Sequence, residues 1–130
     1  MSKKKENNGL LTASEFKVMD ILWNMPDNSA LGQEIQEKFA EPRPAYTTTL
    51  TFLKILDEKG FVASSKEGRC TRYKALLTRE VYTDRAMKDV KNTFFRGSLS
   101  HLVSYFVNRD KLSESELDDI ISLINQGKQS

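Results

Sequence analysis

The segment from Thr47 to Leu76 combines residue types that suit contact with a polyanion. Threonine fills four of its first five positions, and a basic stretch closes it: TTTLTFLKILDEKGFVASSKEGRCTRYKAL. Because a branched Cβ loses rotamer freedom against the preceding turn, four threonines cost a helix about 2 kcal/mol relative to alanine. Their hydroxyls and methyls can meet phosphates and thymine methyls. The segment therefore predicts a helix that reads DNA, followed by a basic hairpin.

Helical spacing divides this segment into two faces. Leu50, Leu53 and Leu56 share one stripe that can face a core, which leaves most of the threonines and Lys54 on the outward side. Two alternatives stay open: the threonine face is simply a solvated surface, or the basic hairpin residues only discourage edge aggregation. The predicted DNA contacts are Arg43, Tyr46, Thr47, Thr48, Thr49, Thr51, Lys54, Arg69 and Arg72.

Charge is distributed unevenly along the sequence. The span 6–41 carries two lysines against seven carboxylates, a net charge of −5. The span 42–79 carries eight basic residues against three acids, a net charge of +5. Positive charge therefore accompanies the threonine-rich helix and the hairpin, and such a dipolar domain would orient itself on a polyanion at low salt.

Composition argues against several classes of protein. The 130 residues include one cysteine, Cys70, and one histidine, His101, so a disulfide, a zinc cluster or a Ser-His-Asp triad has little to be built from. We expect no enzyme activity, no metal and no cofactor. No apolar run approaches the ~20 residues of a membrane span, and a lone thiol suits a reducing compartment, so we expect a cytoplasmic protein without membrane insertion.

Local signals predict three helices and a two-stranded wing in the first part of the chain. Thr12 and Glu15 form a capping box that opens the first helix. A second helix is expected near 30–39, and the prolines in Glu41–Pro44 indicate a loop. The third helix should span about 46–59 and end at Gly60, which suits a left-handed C-terminal position. Strands near 61–64 and 69–77 then make the wing.

The remaining sequence predicts amphipathic helices with too little core of their own. Their apolar residues recur at spacings of three and four, and Ser113 and Glu116 form a second capping box. Helices of this length are marginal without packing, so we expect them to bury against a second subunit. The alternative is a small-molecule pocket at Trp23 and the apolar stripe from Phe95 to Phe106. The predicted dimer interface is Phe95, Leu99, Leu102, Val103, Phe106, Leu117, Ile120, Ile121 and Ile124.

An ordered series of segments resembles the penicillinase repressor (BlaI/MecI/CopY) family of winged-helix regulators. LTASEFKVMDILW is similar to the opening helix of the family, and TTTLTFLKILDEKGFV to its recognition helix and following turn. GRCTRYKAL is similar to the return strand of the wing, and GSLSHLVSYF with KLSESEL to the dimerisation region. The likeness spans about residues 10–125. Ile55 departs from the family, which often has arginine there.

The resemblance implies a homodimeric repressor on a palindromic double-stranded DNA operator. It also implies release by a membrane sensor-protease that cuts an Asn–Phe bond, and the matching positions here are Tyr105 and Phe106. Tyr105 thus departs from the asparagine of the family. The cysteine-rich tail of the copper-responsive branch is not matched, which argues against copper sensing through thiolates.

The expected architecture is mainly helical with a small β-hairpin. We predict a winged helix-turn-helix DNA-binding domain over 10–78, a helical dimerisation region over 79–126, and flexible tails at 1–9 and 127–130. The competing function is a winged-helix adaptor that binds proteins without specific DNA contact. An exposed apolar groove in place of a basic face would distinguish that adaptor.

Overall fold

A computed structural model of the chain describes residues 9–109 and 112–129. Residues 1–8 and 130, parts of the two predicted tails, lie outside the described residues. In chain order the elements are α1 (Ala13–Trp23), a 3-10 turn (Pro26–Asn28), β1 (Ser29–Leu31), α2 (Gly32–Lys38), α3 (Tyr46–Lys59), β2 (Val62–Glu67), β3 (Cys70–Ala75), α4 (Arg79–Phe95), α5 (Leu99–Arg109) and α6 (Glu114–Gln129). The predicted mainly helical winged-helix fold is confirmed.

The capping box predicted at the start of α1 is present. The Glu15 backbone N–H donates to Thr12 Oγ1 at 3.2 Å, and the Thr12 backbone N–H donates to Glu15 Oε1 at 3.0 Å. Two N–H groups that a helix start would leave without partners are thereby satisfied. The local sequence therefore determines where α1 begins.

The second helix begins later than predicted, because the preceding residues form a strand. Ala30 is fully buried and pairs with Tyr73 of β3, while Leu31 pairs with Arg72. The α2 helix then starts at Gly32, and the Glu34 carboxylate accepts the Leu31 backbone N–H at 2.7 Å. A three-residue strand has no local periodicity to reveal it, since its existence depends on pairing with a distant segment.

The wing is accordingly part of a three-stranded antiparallel sheet, not an isolated hairpin. The strand order is β1-β3-β2, with β3 in the centre. Val62 of β2 pairs with Ala75, and Glu67 pairs with Cys70 across the turn. Pairing of β3 on both edges satisfies backbone groups that a two-stranded hairpin would leave to solvent.

The third helix ends where the sequence predicted. Gly60 follows it with φ of 86°, a left-handed conformation that side chains with a Cβ rarely adopt. Its backbone N–H donates to the Asp57 carbonyl at 3.1 Å, and the Phe61 N–H donates to the Leu56 carbonyl at 2.9 Å. This cap turns the chain from α3 directly into β2.

One hydrophobic core joins α1, α2, α3 and the sheet. Trp23 closes it at one end, and its Nε1 donates to the Leu77 carbonyl at 3.0 Å. Leu53 and Leu56 are fully buried as predicted, and Leu50 packs against the core while partly exposed. The buried members are Val18, Met19, Leu22, Trp23, Ala30, Ile35, Leu53, Leu56, Phe61, Val62, Leu77 and Tyr82. The stripe predicted for α3 therefore positions that helix on the domain.

The chain divides into two compact units, the first ending at Ala86 and the second beginning at Met87. This boundary lies eight residues beyond the predicted end of the DNA-binding domain at residue 78. The first turns of α4 belong to the first unit because Tyr82 is buried in its core and its hydroxyl accepts the Leu11 backbone N–H at 2.8 Å. In the second unit α6 continues to Gln129, so the tail predicted from residue 127 is helical where it is described.

Candidate nucleic-acid interface

Five predicted DNA-contacting residues lie exposed on α3. They are Tyr46, Thr47, Thr48, Thr51 and Lys54, and they occupy the first nine positions of the helix. Leu53 and Leu56 are buried on one side of the helix, so the five predicted contacts on the other side face solvent. The Thr51 hydroxyl donates to the Thr47 carbonyl at 3.0 Å. This hydrogen bond favours one rotamer of Thr51 and so fixes the direction of its methyl group. This face offers hydroxyls, methyls, a phenol and one ammonium.

Thr49 must be removed from the predicted DNA contacts. Its side chain is fully buried, and its hydroxyl donates to the Ala45 carbonyl at 3.2 Å. The hydrogen bond to the preceding turn lets a hydroxyl enter the core without an unsatisfied donor. Thr49 therefore packs with the leucines, and the threonine-rich stretch serves both sides of the helix.

The start of α3 is fixed by close packing against α2. Gly32, the first residue of α2, is buried, and a Cβ at this position would lie 3.2 Å from Leu50 Cδ2 and 3.3 Å from the Tyr46 hydroxyl. Gln36 Nε2 donates to the Pro44 carbonyl at 3.0 Å, which ties α2 to the loop before α3. This helix-turn-helix contact determines how the exposed face of α3 is presented.

Arg43, in the same loop, is only loosely held. Its Nη2 lies 3.8 Å from Glu41 Oε1, its backbone N–H donates to Glu41 Oε2 at 3.2 Å, and its side chain is 38% exposed. Exposed pairs at this separation contribute little free energy. The Arg43 side chain is therefore free to exchange Glu41 for another anion.

The wing places two cations at its tip. Lys66 and Arg69 flank the turn, where Gly68 has φ of 66°, and both side chains are exposed. Arg69 was predicted as a DNA contact, whereas Lys66 was missed. The signal for Lys66 was its position one residue before the Glu67–Gly68 turn, which puts it at the tip of any hairpin built there.

Arg72, another predicted DNA contact, takes part in hydrogen bonds within the protein. Its Nε donates to Glu67 Oε2 at 2.5 Å, its Nη2 to Glu67 Oε1 at 3.2 Å, and its Nη1 to Ser29 Oγ at 3.2 Å. These hydrogen bonds lower the pKa of Glu67 and raise the pKa of Arg72. The guanidinium therefore links Glu67 of the wing to Ser29 of β1.

Partial burial also affects the phenol of Tyr73, which lies on β3, the strand between β1 and β2. Desolvation raises the pKa of its phenol, and the nearby Tyr46 and Asp57 add to this effect. The Tyr73 hydroxyl therefore stays neutral, and the Tyr73 ring lies next to Gly32.

Comparison with known proteins connects this arrangement to a family. A family model described as penicillinase repressor matches residues 11–126. The chain belongs to the penicillinase repressor family. Methicillin resistance regulatory protein MecI of Staphylococcus aureus (strain N315) is 27% identical over 119 residues, covering 89% of this chain and 94% of MecI. The penicillinase repressor of Bacillus licheniformis is 23% identical over 121 residues, covering 91% of each chain.

One solved structure, described as the complex structure of hsRosR-S1, also matches this member of the penicillinase repressor family. It covers 87% of this chain and 95% of the other, with 23% identity and a TM-score of 0.49. Within the described residues of the repressor, no group of acidic, histidine or cysteine side chains could hold a metal ion. Among the helices described, none has the length and apolarity needed to cross a bilayer.

The second unit of the repressor exposes many large apolar side chains. Among the predicted interface residues, Leu99 is 62% exposed and Ile121 is 55% exposed. The prediction missed Phe94 and Leu123, which are 73% and 66% exposed, because neither falls on the chosen stripes. The predicted residues that the single chain leaves exposed are Leu99, Phe106, Ile121 and Ile124, and those it partly covers are Phe95, Val103, Leu117 and Ile120.

Leu102 differs from the other predicted interface residues of this repressor. It is only 7% exposed in the single chain, so it has almost no surface left for a second subunit to bury. Its place on the same stripe as Leu99 and Phe106 made it a natural interface candidate. The structure corrects that assignment, since Leu102 is already buried within one chain.

The predicted cleavage positions lie in the middle of α5. Tyr105 is 48% exposed and Phe106 is 43% exposed. The Tyr105 ring contacts Phe95 and Phe106 edge-on, with centroid distances of 5.8 and 5.4 Å, and the Arg109 guanidinium lies 5.7 Å from the Tyr105 ring. The side chains on both sides of this peptide bond are therefore accessible, but the bond itself lies in helical backbone.

Proposed function

We propose that this chain is a DNA-binding transcriptional repressor that acts as a homodimer on a palindromic operator. The observation that carries this proposal is the exposed polar face of α3, with hydroxyls and an ammonium on a helix that a helix-turn-helix contact holds in place. Membership of the penicillinase repressor family supports the same function.

In the proposed complex the start of α3 enters the major groove. Thr48, Thr51 and Lys54 would read base edges and thymine methyls, while Tyr46 and Thr47 would contact the adjoining backbone. Lys66 and Arg69 at the wing tip, with Arg43 in the loop, would contact phosphates and add the salt dependence of counterion release.

We propose that the second unit forms the dimer. Apolar side chains that are half exposed or more, such as Leu99, Ile121 and Leu123, carry a hydration cost that burial against a second copy would remove. Pairing of two copies would also fix the distance between two recognition helices, so dimer geometry would select the spacing of operator half-sites.

We also propose that release involves cleavage near Tyr105 by a partner sensor-protease. Because the Tyr105–Phe106 bond lies inside α5, a protease would need that helix to unwind locally before the bond could enter an active site. Co-expression with the cognate sensor, followed by mass spectrometry of the repressor under induction, tests this step. A fragment ending near Tyr105 is expected, whereas intact protein would indicate another route of release.

The function itself is tested by fluorescence anisotropy with DNA from upstream of the coding region. Titrations at several salt concentrations should give tight, salt-dependent binding, with roughly a thousandfold preference over a scrambled duplex. Weak and equal binding to both duplexes would contradict a specific regulator and favour the protein-binding adaptor. Lys66→Gln with Arg69→Gln should weaken binding to both duplexes alike, whereas changes of Thr48 or Thr51 should weaken binding to the specific duplex more than to the scrambled one.

A further inference from the structure

A groove with no assigned role lies beside the recognition helix, within the first unit. Its volume is about 590 Å³, inside the range of about 300–1,000 Å³ that small-molecule sites occupy. The walls come from α1, from the loop between α2 and α3, and from α3. The lining residues are Ser14, Lys17, Asp20, Ile21, Lys38, Phe39, Ala40, Glu41, Pro42, Pro44, Thr48 and Phe52.

The floor of this groove is apolar and rigidly supported. Ile21, Phe39 and Phe52 each pack against the buried core with one part and line the groove with the other. Because these side chains come from α1, from the end of α2 and from α3, none can withdraw without disturbing the core. Such a floor offers a flat organic molecule dispersion contacts and removal from water.

Positive charge exceeds negative charge around the floor. The lining carries two lysines and two carboxylates, and two arginines lie beside the carboxylates: Arg79 pairs with Asp20, and Arg43 lies 3.8 Å from Glu41. Lys17 and Lys38 are exposed and take part in no ion pair among the described residues. Four cations against two carboxylates leave an excess of two positive charges beside an apolar floor, which favours an anionic occupant.

Thr48 connects the groove to the proposed DNA contact. It lines the groove and also belongs to the exposed face of α3. On the helix it lies between Thr51, on the outward side, and Phe52, on the groove side. A molecule in the groove would therefore occupy space beside a residue that the proposed operator complex requires.

We propose that this groove binds a small apolar carboxylate, with its hydrocarbon body on Phe39 and Phe52 and its carboxylate near Lys17 and Lys38. We further infer that the bound molecule competes with DNA through Thr48, a coupling that rests on the function proposed above. The groove is thereby an effector site, and its occupant provides a route of release that needs no cleavage, in addition to the proteolytic route proposed above.

The test uses three probes that share a naphthalene ring and carry an anionic, a neutral or a cationic substituent: 2-naphthoate, 2-naphthylmethanol and 2-naphthylmethylamine. Amide shifts in 1H–15N spectra of the full chain locate each probe, and naphthalene fluorescence gives its affinity. Shifts at Phe39, Thr48 and Phe52 are expected, with naphthoate bound about tenfold more tightly than the alcohol, the ratio for one charge-assisted hydrogen bond. Equal affinities for the three probes, or shifts confined to other residues, would overturn the proposal.

Charge removal tests the same site with the fold preserved. Lys17→Gln combined with Lys38→Gln should bring naphthoate to the affinity of the alcohol, because both substituted side chains are exposed. Lys88→Gln combined with Lys91→Gln removes the same charge from α4, outside the lining, and should leave the affinity unchanged. Equal losses in both double variants would reject a localised site in favour of general charge attraction.

Competition is measured by repeating the anisotropy titration with saturating naphthoate and with the alcohol. Naphthoate should lower the apparent DNA affinity, and the lysine double variant should resist this effect. Unchanged DNA affinity with a filled groove would overturn the coupling. Failure of the chain to bind DNA would contradict the proposed function instead, while the probe titration, which contains no DNA, would still decide the site.

Discussion

Glu15 and Lys59 join the start of α1 to the last turn of α3. Lys59 Nζ donates to both carboxylate oxygens of Glu15, at 2.8 and 2.9 Å, and Thr12 adds its backbone N–H. The Glu15 side chain is 6% exposed, whereas the Lys59 side chain is 38% exposed. One carboxylate thus caps a helix and anchors the end of the recognition helix at the same time.

Replacing Glu15 should measure this connection. Glu15→Gln keeps the shape and can still accept the Thr12 N–H, but it removes the charge that Lys59 pairs with. We expect the free energy of unfolding to fall by about 1–3 kcal/mol, the range for a hydrogen bond to a charged partner. Urea denaturation at pH 7 followed by circular dichroism measures it. Glu67 is 53% exposed, so a loss for Glu15→Gln as small as that for Glu67→Gln would contradict a special role for Glu15.

The same pair predicts a dependence of stability on pH. Burial of the carboxyl raises its pKa, but hydrogen bonds from Lys59 and Thr12 outweigh burial, so the pKa of Glu15 lies below its ordinary 4.5. A lowered pKa means that this stabilisation is fully present above pH 4.5 and is lost as pH falls through the folded-state pKa. The stability difference between the wild type and Glu15→Gln should therefore shrink in acid. A difference that stays constant from pH 7 to pH 3 would contradict this linkage.

Features set by neighbours in sequence could be predicted. The capping box at Thr12 and Glu15 and the left-handed Gly60 both depend on residues within one helical turn. The exposed face of α3 was also largely predictable, because leucines at helical spacing determine which side is buried.

Features set by tertiary contacts could not be predicted. Ala30 belongs to a strand only because β3 pairs with it. The hydrogen bonds of Arg72 to Glu67 and Ser29 likewise depend on how three strands come together. In each case the partner lies in another element or across a turn, where local pattern carries no information.

Two threonines on α3 should respond in opposite ways to alanine. Thr51→Ala should weaken the specific DNA complex about tenfold, by loss of a base contact, with stability held or slightly raised because alanine favours helix. Thr49→Ala should leave a small cavity that costs about 1 kcal/mol and should not change DNA affinity. Anisotropy and thermal denaturation of both variants check this. Reversal of the two phenotypes would contradict the assigned faces.

Gly32 should control how α3 is presented. In Gly32→Ala the new Cβ meets Leu50 and the Tyr46 hydroxyl at 3.2 and 3.3 Å, so these neighbours must shift by tenths of an ångström. The exposed Tyr46 side chain can move, and helix propensity favours alanine, so we expect a change in stability below about 1 kcal/mol. DNA affinity should nevertheless fall, because Tyr46 is displaced. Unchanged affinity in a folded variant would show that the Tyr46 position does not matter.

The last helix offers a matched test of dimerisation. Ile121 and Ile124 are 55% and 50% exposed in the single chain, so replacing both with aspartate should not disturb its own packing. If they meet a second copy, four buried carboxylates per dimer would be prohibitive, and sedimentation velocity should show monomers. DNA affinity should then fall at least about a hundredfold, because the two half-sites are no longer bound together.

Ser122→Asp is the control, because it adds charge to an exposed position of the same helix and should remain dimeric. If the Ile121→Asp, Ile124→Asp variant is still dimeric, the interface does not include these two residues. Phe94 and Leu99 would then be substituted next, because they are 73% and 62% exposed and a second copy could cover them.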